Sequence, residues 1–144
     1  MGKTSPPAIF LDANIIFSAA YSSEGNAAAL FALARKNMCR LVSSKYAIEE
    51  ARRNLEYKKP DALKVFQTLL AQIDSCPEAD AGRLEKASAI GLDTGDAPIL
   101  AAALGNADFL VTGDRKHFGA WMGKPVHGIK ILSLSDALDK LLNK

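Results

Sequence analysis

The sequence predicts an α/β domain in which helices cover both faces of a mainly parallel sheet, because short apolar runs alternate with longer helical stretches. Four runs have the length and the apolar side chains of buried strands. They are Ala8–Leu11, Arg40–Ser43, Asp108–Thr112 and Ile129–Leu132. With 144 residues, 49% of them apolar, the chain has the size of one globular domain, which we expect to span residues 1–144.

Helices are predicted between these strands from apolar spacing and from capping residues. Lys45–Tyr57 follows a serine pair, and Ser133–Leu142 opens on a serine with an acid three residues later. The other predicted helices are Gly25–Asn37, Asp61–Ile73, Ala81–Ile90 and Asp96–Leu104. The segment Gly119–Gly128, rich in turn-forming residues, is predicted to be a connecting loop.

Composition argues against several classes of protein. No apolar stretch is long enough to span a membrane and the start lacks the core of a secretion signal, so we expect a cytoplasmic protein with no membrane partner. The two cysteines, Cys39 and Cys76, make neither a disulfide framework nor a metal-ligand pattern. His117 and His127 lack the spacing of zinc ligands, and His117 is interpreted as a surface or helix-capping residue. The chain has no dinucleotide-binding or P-loop fingerprint.

Charge is distributed unevenly, although the net charge is only +2. Positions 35 to 64 contain nine basic and four acidic residues, whereas positions 74 to 96 contain six acidic and two basic residues. This asymmetry favours a positive flank beside an acidic pocket, which suits a polyanionic substrate. A solvated helix face explains the same pattern equally well.

Four acidic residues stand where strands end or along the following helices. Asp12 and Asp114 come just after apolar strand-like runs, and the carboxyl ends of parallel strands meet at one edge of a sheet. Asp96 begins a predicted helix, and Glu50 lies inside another on a face with alanines. Each has an ordinary alternative, because Asp residues also cap loops and helices and a helical Glu is usually on the surface.

A divalent cation is the predicted reason for gathering these carboxylates. Side chains that repel one another are held together by Mg²⁺ or Mn²⁺, which prefer oxygen ligands. Asn14 and Thr112 lie two residues from Asp12 and Asp114, where they can bind a carboxylate or a water. A metal held in this way activates water for attack on a phosphate, so the sequence predicts metal-dependent phosphodiester chemistry.

The same segments, in the same order, resemble the motifs of the PIN domain, a family of small metal-dependent nucleases. FLDANI resembles the first motif, IEEARRNL the second, TGDAPILAAAL the third and FLVTGDRKHF the fourth. The resemblance implies a catalytic set of Asp12, Glu50, Asp96 and Asp114, supported by Asn14 and Thr112. It assigns the metal to Asp12, Asp96 and Asp114, the first two holding the principal ion. In the second motif the spacing to Leu55 favours Glu50 over Glu49.

The resemblance also implies a fold, an activity and partners. The fold would be a three-layer α/β/α sandwich with a mainly parallel central sheet. The activity would be Mg²⁺- or Mn²⁺-dependent hydrolysis of RNA. Many small stand-alone members are toxins of toxin–antitoxin pairs, which a partner protein inhibits and which often form homodimers. Asp93 is a further acid near the third motif that could tune the site.

Two other interpretations and one binding hypothesis remain open. Charge alone suggests that Arg52, Arg53, Arg115 and Lys116 guide the RNA backbone. A non-catalytic RNA- or protein-binding module with a PIN-like fold is the main alternative to a nuclease. A phosphotransfer domain of the receiver type also gathers Asp residues, but Lys130 lies within its predicted strand rather than after it, which fits that class poorly.

Overall fold

The computed structural model describes residues 5–92 and 95–143, which form a six-stranded sheet flanked by helices. The strands are β1 (Ala8–Leu11), β2 (Arg40–Ser44), β3 (Ile73–Cys76), β4 (Phe109–Val111), β5 (Pro125–Val126) and β6 (Ile129–Leu132). Their order is β3-β2-β1-β4-β6-β5, and the pairs are parallel except for β5 against β6. This arrangement confirms the predicted α/β/α sandwich with a mainly parallel sheet.

The helices within the described ranges connect these strands. They are α1 (Ala13–Tyr21), α2 (Asn26–Arg35), α3 (Lys45–Lys58), α4 (Leu63–Leu70), α5 (Ala81–Ala89), α6 (Ala97–Ala103), α7 (Arg115–Phe118) and α8 (Leu134–Leu142), with short 3₁₀ turns at Pro60–Ala62 and Gly119–Trp121. Two serine caps predicted from sequence are present, since Ser44 accepts a hydrogen bond from Ala47 N at 3.2 Å and Ser133 accepts one from Asp136 N at 3.0 Å. Among the helices of the described residues, none is both long and apolar enough to cross a membrane.

Several elements differ from the sequence-based prediction. The helix predicted over Asp61–Ile73 ends at Leu70, and Ile73 begins β3 instead. Only the two end residues of β3 are buried, so this edge strand lacks the continuous apolar run that marks a central strand. The predicted loop Gly119–Gly128 contains the two-residue strand β5. Asp12 was expected where a strand ends and a helix begins, but no helix was delimited there, and α1 starts directly after it.

The core lies against the central strands. All four residues of β1 are at most 2% exposed, and the largest fully buried side chains include Phe10, Phe31, Phe66 and Phe118. Burying one such side chain contributes roughly 1.5–3 kcal/mol to the free energy of unfolding. The strand ends that carry the acidic residues are therefore attached to a firmly packed sheet.

The chain reverses its direction of travel across the sheet between β1 and β4. From β1 it proceeds outward through β2 to β3, and from β4 it proceeds outward on the other side to β6. Such a switch point leaves a crevice at the carboxyl ends of the two central strands, where ligands bind in open α/β sheets.

Candidate active site

Asp12 and Thr112 leave neighbouring strands side by side at this switch point. Leu11 of β1 is opposite Val111 of β4, and Asp12 N donates a hydrogen bond to Val111 O at 3.1 Å. The next residue on each strand, Asp12 or Thr112, therefore reaches the carboxyl edge at the same level. The Thr112 hydroxyl donates to Asp12 Oδ2 at 2.6 Å.

The carboxylate of Asp12 is almost enclosed, with only 7% of the residue exposed. It accepts a hydrogen bond from Ala13 N at 2.7 Å, which caps α1, and one from Asn14 Nδ2 at 3.4 Å. Burial raises the pKa of Asp12, and the nearby Asp114 charge adds to that rise, whereas the bonds from Thr112, Ala13 and Asn14 oppose it. One carboxylate thus both caps α1 and lies at the switch point of the sheet.

Asn14 and Thr112 connect the two turns that follow β1 and β4. Asn14 Oδ1 accepts a hydrogen bond from Gly113 N at 2.9 Å, and its amide nitrogen lies 3.5 Å from Thr112 Oγ1. Thr112 Oγ1 in turn accepts a hydrogen bond from Asp114 N at 3.0 Å. The supporting pair predicted from sequence therefore fixes the backbone around both aspartates.

Asp114 and Asp96 meet at the ring of His117. Asp114 caps α7 by accepting from His117 N at 3.0 Å, and His117 Nδ1 lies 2.7 Å from Asp114 Oδ2 and 3.2 Å from Asp96 Oδ2. Although partial burial acts to raise the pKa of Asp114, its hydrogen bonds and charge interaction with His117 outweigh burial and lower that pKa. Among the described residues, the Asp96 carboxylate makes no hydrogen bond that caps α6.

Glu50 approaches the same place from α3. This helix buries Ala47, Ala51 and Leu55 and leaves Glu50 partly buried. Burial raises the pKa of Glu50, and the negative charges of Asp12 and Asp114 raise it further, while Arg53 opposes the shift. Glu49 instead forms an ion pair with Arg52, so the geometry favours Glu50 as the inward-facing acid.

All four predicted acids line one cavity of about 610 Å³. Its lining residues are Asp12, Asn14, Phe17, Tyr46, Glu50, Arg53, Asn54, Lys58, Gly95, Asp96, Ile99, Asp114 and His117. Thr112 is completely buried behind Asp12 and acts on the cavity through that carboxylate. A larger cavity of about 720 Å³ elsewhere has mostly apolar walls and no carboxylate, so it offers no comparable acid chemistry. Asp93 lies outside the described residues.

The predicted cationic residues divide into two groups. Arg53 lines the acidic cavity, but Arg52, Arg115 and Lys116 do not. Arg52 is held between Glu49 and Glu56, the latter at 2.8 Å, which neutralises its charge locally. The structure thus separates Arg53 from the other three as the cation adjacent to the acids.

The donor set fits a divalent metal. One ligand atom from each of Asp96, Asp114 and His117 lies within 4.8 Å of the other two. Carboxylate oxygens suit Mg²⁺ and Mn²⁺, and an imidazole nitrogen is more readily accepted by Mn²⁺ and later transition metals than by Mg²⁺. Asp12 lines the same cavity but is not part of this tightest group, in which His117 takes the third position.

Sequence reasoning missed two features of this cavity. His117 is exposed, as the surface interpretation expected, but its ring also contacts two of the predicted ligands. The spacing Asp114-x-x-His117 at a helix start was the available signal, because residues three apart on a helix are neighbours. Phe17 was not singled out because no helix was predicted over residues 13–21, and Lys58 ends α3, one residue beyond the predicted helix.

Comparisons with known proteins identify the family and support the fold. The family model for the PIN domain matches residues 8–116. Among solved structures, PAE2754 from Pyrobaculum aerophilum is similar with a TM-score of 0.69 at 16% identity, over 96% of this chain and 91% of that one. A chain of DNA-bound VapBC from Salmonella typhimurium gives a TM-score of 0.68 at 16% identity, over 89% and 98%. Mycobacterium tuberculosis VapC20, described as a sarcin-ricin loop cleaving toxin, gives 0.55 at 13% identity, over 78% and 94%.

Because all three identities are below 20%, these structural likenesses support the fold alone. Comparison with curated proteins gives no significant sequence match. The matched range runs from the first residue of β1 into α7, so it contains every acid that lines the cavity. The resemblance found in the sequence is therefore confirmed, and the chain belongs to the PIN domain family.

Proposed function

We propose that this PIN-domain protein is a Mg²⁺- or Mn²⁺-dependent endoribonuclease that hydrolyses phosphodiester bonds of RNA. The observation that carries the proposal is the convergence of Asp12, Glu50, Asp96 and Asp114, from four separate segments, on one cavity at the switch point of the sheet. A bound divalent ion supplies Lewis-acid chemistry there, neutralising phosphate charge and favouring the hydroxide form of water.

The protein's own groups have distinct roles in this proposal. Asp96 and Asp114 hold the ion with Asp12, and His117 is a further donor beside the first two. Thr112 and Asn14 fix the orientation of Asp12 through their hydrogen bonds. Glu50, whose pKa burial raises, is the acid suited to exchanging a proton with water or with the leaving oxygen.

A toxin role in the cytoplasm, with an antitoxin protein as partner and a homodimer as the assembly, is the biological setting that we propose. VapC20, which is similar in fold, is described as a toxin that cleaves the sarcin-ricin loop. Expression in a bacterial host tests this setting. Wild-type protein is expected to arrest growth, Asp96→Asn is not, and normal growth with active wild-type enzyme would reject the toxin role.

Cleavage of matched oligonucleotides tests the activity itself. Wild-type protein is expected to cleave single-stranded RNA with Mg²⁺ or Mn²⁺ and to be inactive in EDTA, while DNA of the same sequence stays intact. Asp96→Asn should lose cleavage, and Asp139→Asn, an exposed aspartate on α8, is the matched control that should keep it. RNA binding without cleavage in either metal would instead favour the non-catalytic module.

A further inference from the structure

A stripe of two aromatic rings and three cations extends from the acidic cavity along α1 and α3. Asn14, Phe17 and Tyr21 are spaced by three and four residues, so they share one face of α1. Asn14 and Phe17 line the cavity, and Tyr21 continues this face beyond it. We call the residues Phe17, Tyr21, Arg53, Lys58 and Lys59 the aromatic–basic stripe.

The two rings of the stripe form a stacked pair. Their centroids are 5.4 Å apart, with an interplanar angle of 30°. Phe17 is partly buried against the core, whereas 47% of Tyr21 is exposed. Phe17 is therefore anchored by packing, and Tyr21 presents an aromatic surface to solvent next to a site proposed to cleave nucleic acid.

The two lysines of the stripe lie against these rings rather than against acids. Lys58 Nζ is 5.8 Å from the centre of the Phe17 ring, and Lys59 Nζ is 4.7 Å from that of Tyr21. Lys59 Nζ also donates to the Tyr21 carbonyl oxygen at 3.0 Å, which holds the ammonium over the ring face. Within residues 5–92 and 95–143, neither lysine forms a salt bridge, so their charges are available to an anion.

The other side of α3 shows what an ordinary charged helix face looks like. Arg52 lies there between Glu49 and Glu56 and does not reach the cavity. Arg53 and Lys58, by contrast, line the cavity at the edge where the aromatic rings begin. The basic residues and the aromatic rings of the stripe therefore adjoin the acidic cavity. This is expected if one polyanion contacts the stripe and the cavity together.

We propose that the aromatic–basic stripe binds an unpaired stretch of RNA next to the phosphate that is cleaved. A base stacks on the Tyr21 ring in place of the Lys59 ammonium, which moves aside to a phosphate, and the neighbouring phosphates contact Arg53 and Lys58. Surfaces that bind single-stranded nucleic acid combine aromatic platforms with a cationic track in this way. The inference rests on the proposed ribonuclease function and names its substrate as single-stranded RNA, since a duplex keeps its bases away from such a platform.

Binding in EDTA separates this inference from catalysis. Affinity for a fluorescent single-stranded RNA is measured across a salt series for the wild type, Tyr21→Leu and the double variant Lys58→Ala/Lys59→Ala. Arg52→Ala and Lys64→Ala, exposed to partly exposed cations outside the stripe, are the matched controls. Thermal unfolding of each variant checks that the fold is retained.

Tyr21→Leu is expected to weaken binding about fivefold or more, in the range found for the loss of one stacked base. The double lysine variant should reduce the salt slope by about 1.4, since each phosphate contact on a single strand accounts for about 0.7. In cleavage assays both should raise KM more than they lower kcat, because they remove binding rather than chemistry.

Unchanged affinity and salt slope in both stripe variants, with wild-type protein binding RNA, would overturn the stripe and leave the ribonuclease proposal intact. Equal affinity for a duplex of the same sequence would also overturn it. If the stripe variants lose binding but the wild type cleaves RNA in neither metal, the stripe stands and the ribonuclease proposal fails.

Discussion

The ends of β1 and β4 present their carboxylates in opposite ways. Asp12, at the end of β1, is 7% exposed and accepts hydrogen bonds from three groups of its own chain. The side chain of Asp114, after β4, is 22% exposed and pairs with His117. Burial raises the pKa of Asp12, while the contacts of Asp114 with His117 outweigh its burial and lower its pKa.

Asp12 is therefore a carboxylate held in place by the fold, whereas Asp114 is more accessible to a ligand. Asp12 is fixed by the sheet, by the start of α1 and by Thr112, so it can hold its orientation without a ligand. Asp114 and Asp96 both approach His117 Nδ1, and these three side chains supply the group of candidate metal donors found among the described residues. In the proposed metal site, Asp12 would be the ligand whose orientation is already fixed by outer hydrogen bonds, and Asp114 the one whose contacts change when metal binds.

Removing either carboxylate charge should have the largest effect on activity. We expect Asp12→Asn and Asp114→Asn each to lower RNA cleavage by about a hundredfold or more, since changes outside the direct ligands already cost about 10- to 100-fold in metal sites. Single-turnover cleavage at saturating Mn²⁺ measures the effect. Activity close to wild type in Asp114→Asn would remove Asp114 from the metal site.

Thr112 should come next, because it acts on both strand ends. Thr112→Val removes the hydroxyl that donates to Asp12 and accepts from Asp114 N, leaving buried polar groups unpaired. Cleavage should fall about 10- to 100-fold, and the free energy of unfolding should fall by about 1–3 kcal/mol. Thr112→Ser keeps the hydroxyl and should retain most activity. Activity that is retained in Thr112→Val but lost in Thr112→Ser would mean that the methyl group, not the hydroxyl, matters.

His117 tests whether the Asp114 end has a third donor. His117→Asn should weaken Mn²⁺ binding by about 10-fold or less, the lower end of effects found around metal sites. Isothermal titration calorimetry measures this at a pH where imidazole is neutral. His127→Asn is the matched control, because His127 is exposed and has a left-handed backbone (φ 48°) that Asn also adopts. Identical Mn²⁺ affinity in both variants would exclude His117 from the metal.

The smallest predicted effect is on the melting temperature of the metal-free protein. Asp12→Asn and Asp114→Asn should change that temperature in opposite directions. Because the pKa of Asp12 is raised in the folded protein, its protonated form favours folding. This contribution to the free energy of unfolding is complete below the unfolded-state pKa and is lost as the pH rises through the folded-state pKa. Asp12→Asn, which keeps an N-cap residue, should therefore melt a few degrees above wild type at neutral pH in EDTA, with the gap closing toward about pH 4.

Asp114→Asn should behave in the reverse way. A lowered pKa gives stability that is present above the unfolded-state pKa and is lost as pH falls through the folded-state pKa. This variant should melt slightly below wild type at neutral pH, and the gap should close in acid. Differential scanning fluorimetry over this pH range tests both variants. A common sign for the two would contradict the contrast between the strand ends.

Much of the fold was predictable because central strands have an unambiguous signature. The prediction of β1 over Ala8–Leu11 is confirmed residue for residue, since a strand buried on both faces is a continuous apolar run. The edge strand β3 was not predicted, because Asp74 and Ser75 face solvent and interrupt any such run. For α1, the polar residues at its start indicated a turn, and tertiary packing against α2, α3 and α4 stabilises the helix instead.

The sequence by itself determined which acids would be available and, through the order of the motifs, which family the chain belongs to. Tertiary structure alone decided that Arg53 faces the acids while Arg52 pairs with Glu49, and that His117 lies between two carboxylates. The physical reason is that strand pairing brings residues about 100 positions apart, such as Asp12 and Thr112, into hydrogen-bonding contact. Local patterns specify each segment but not the face that it turns toward its distant neighbours.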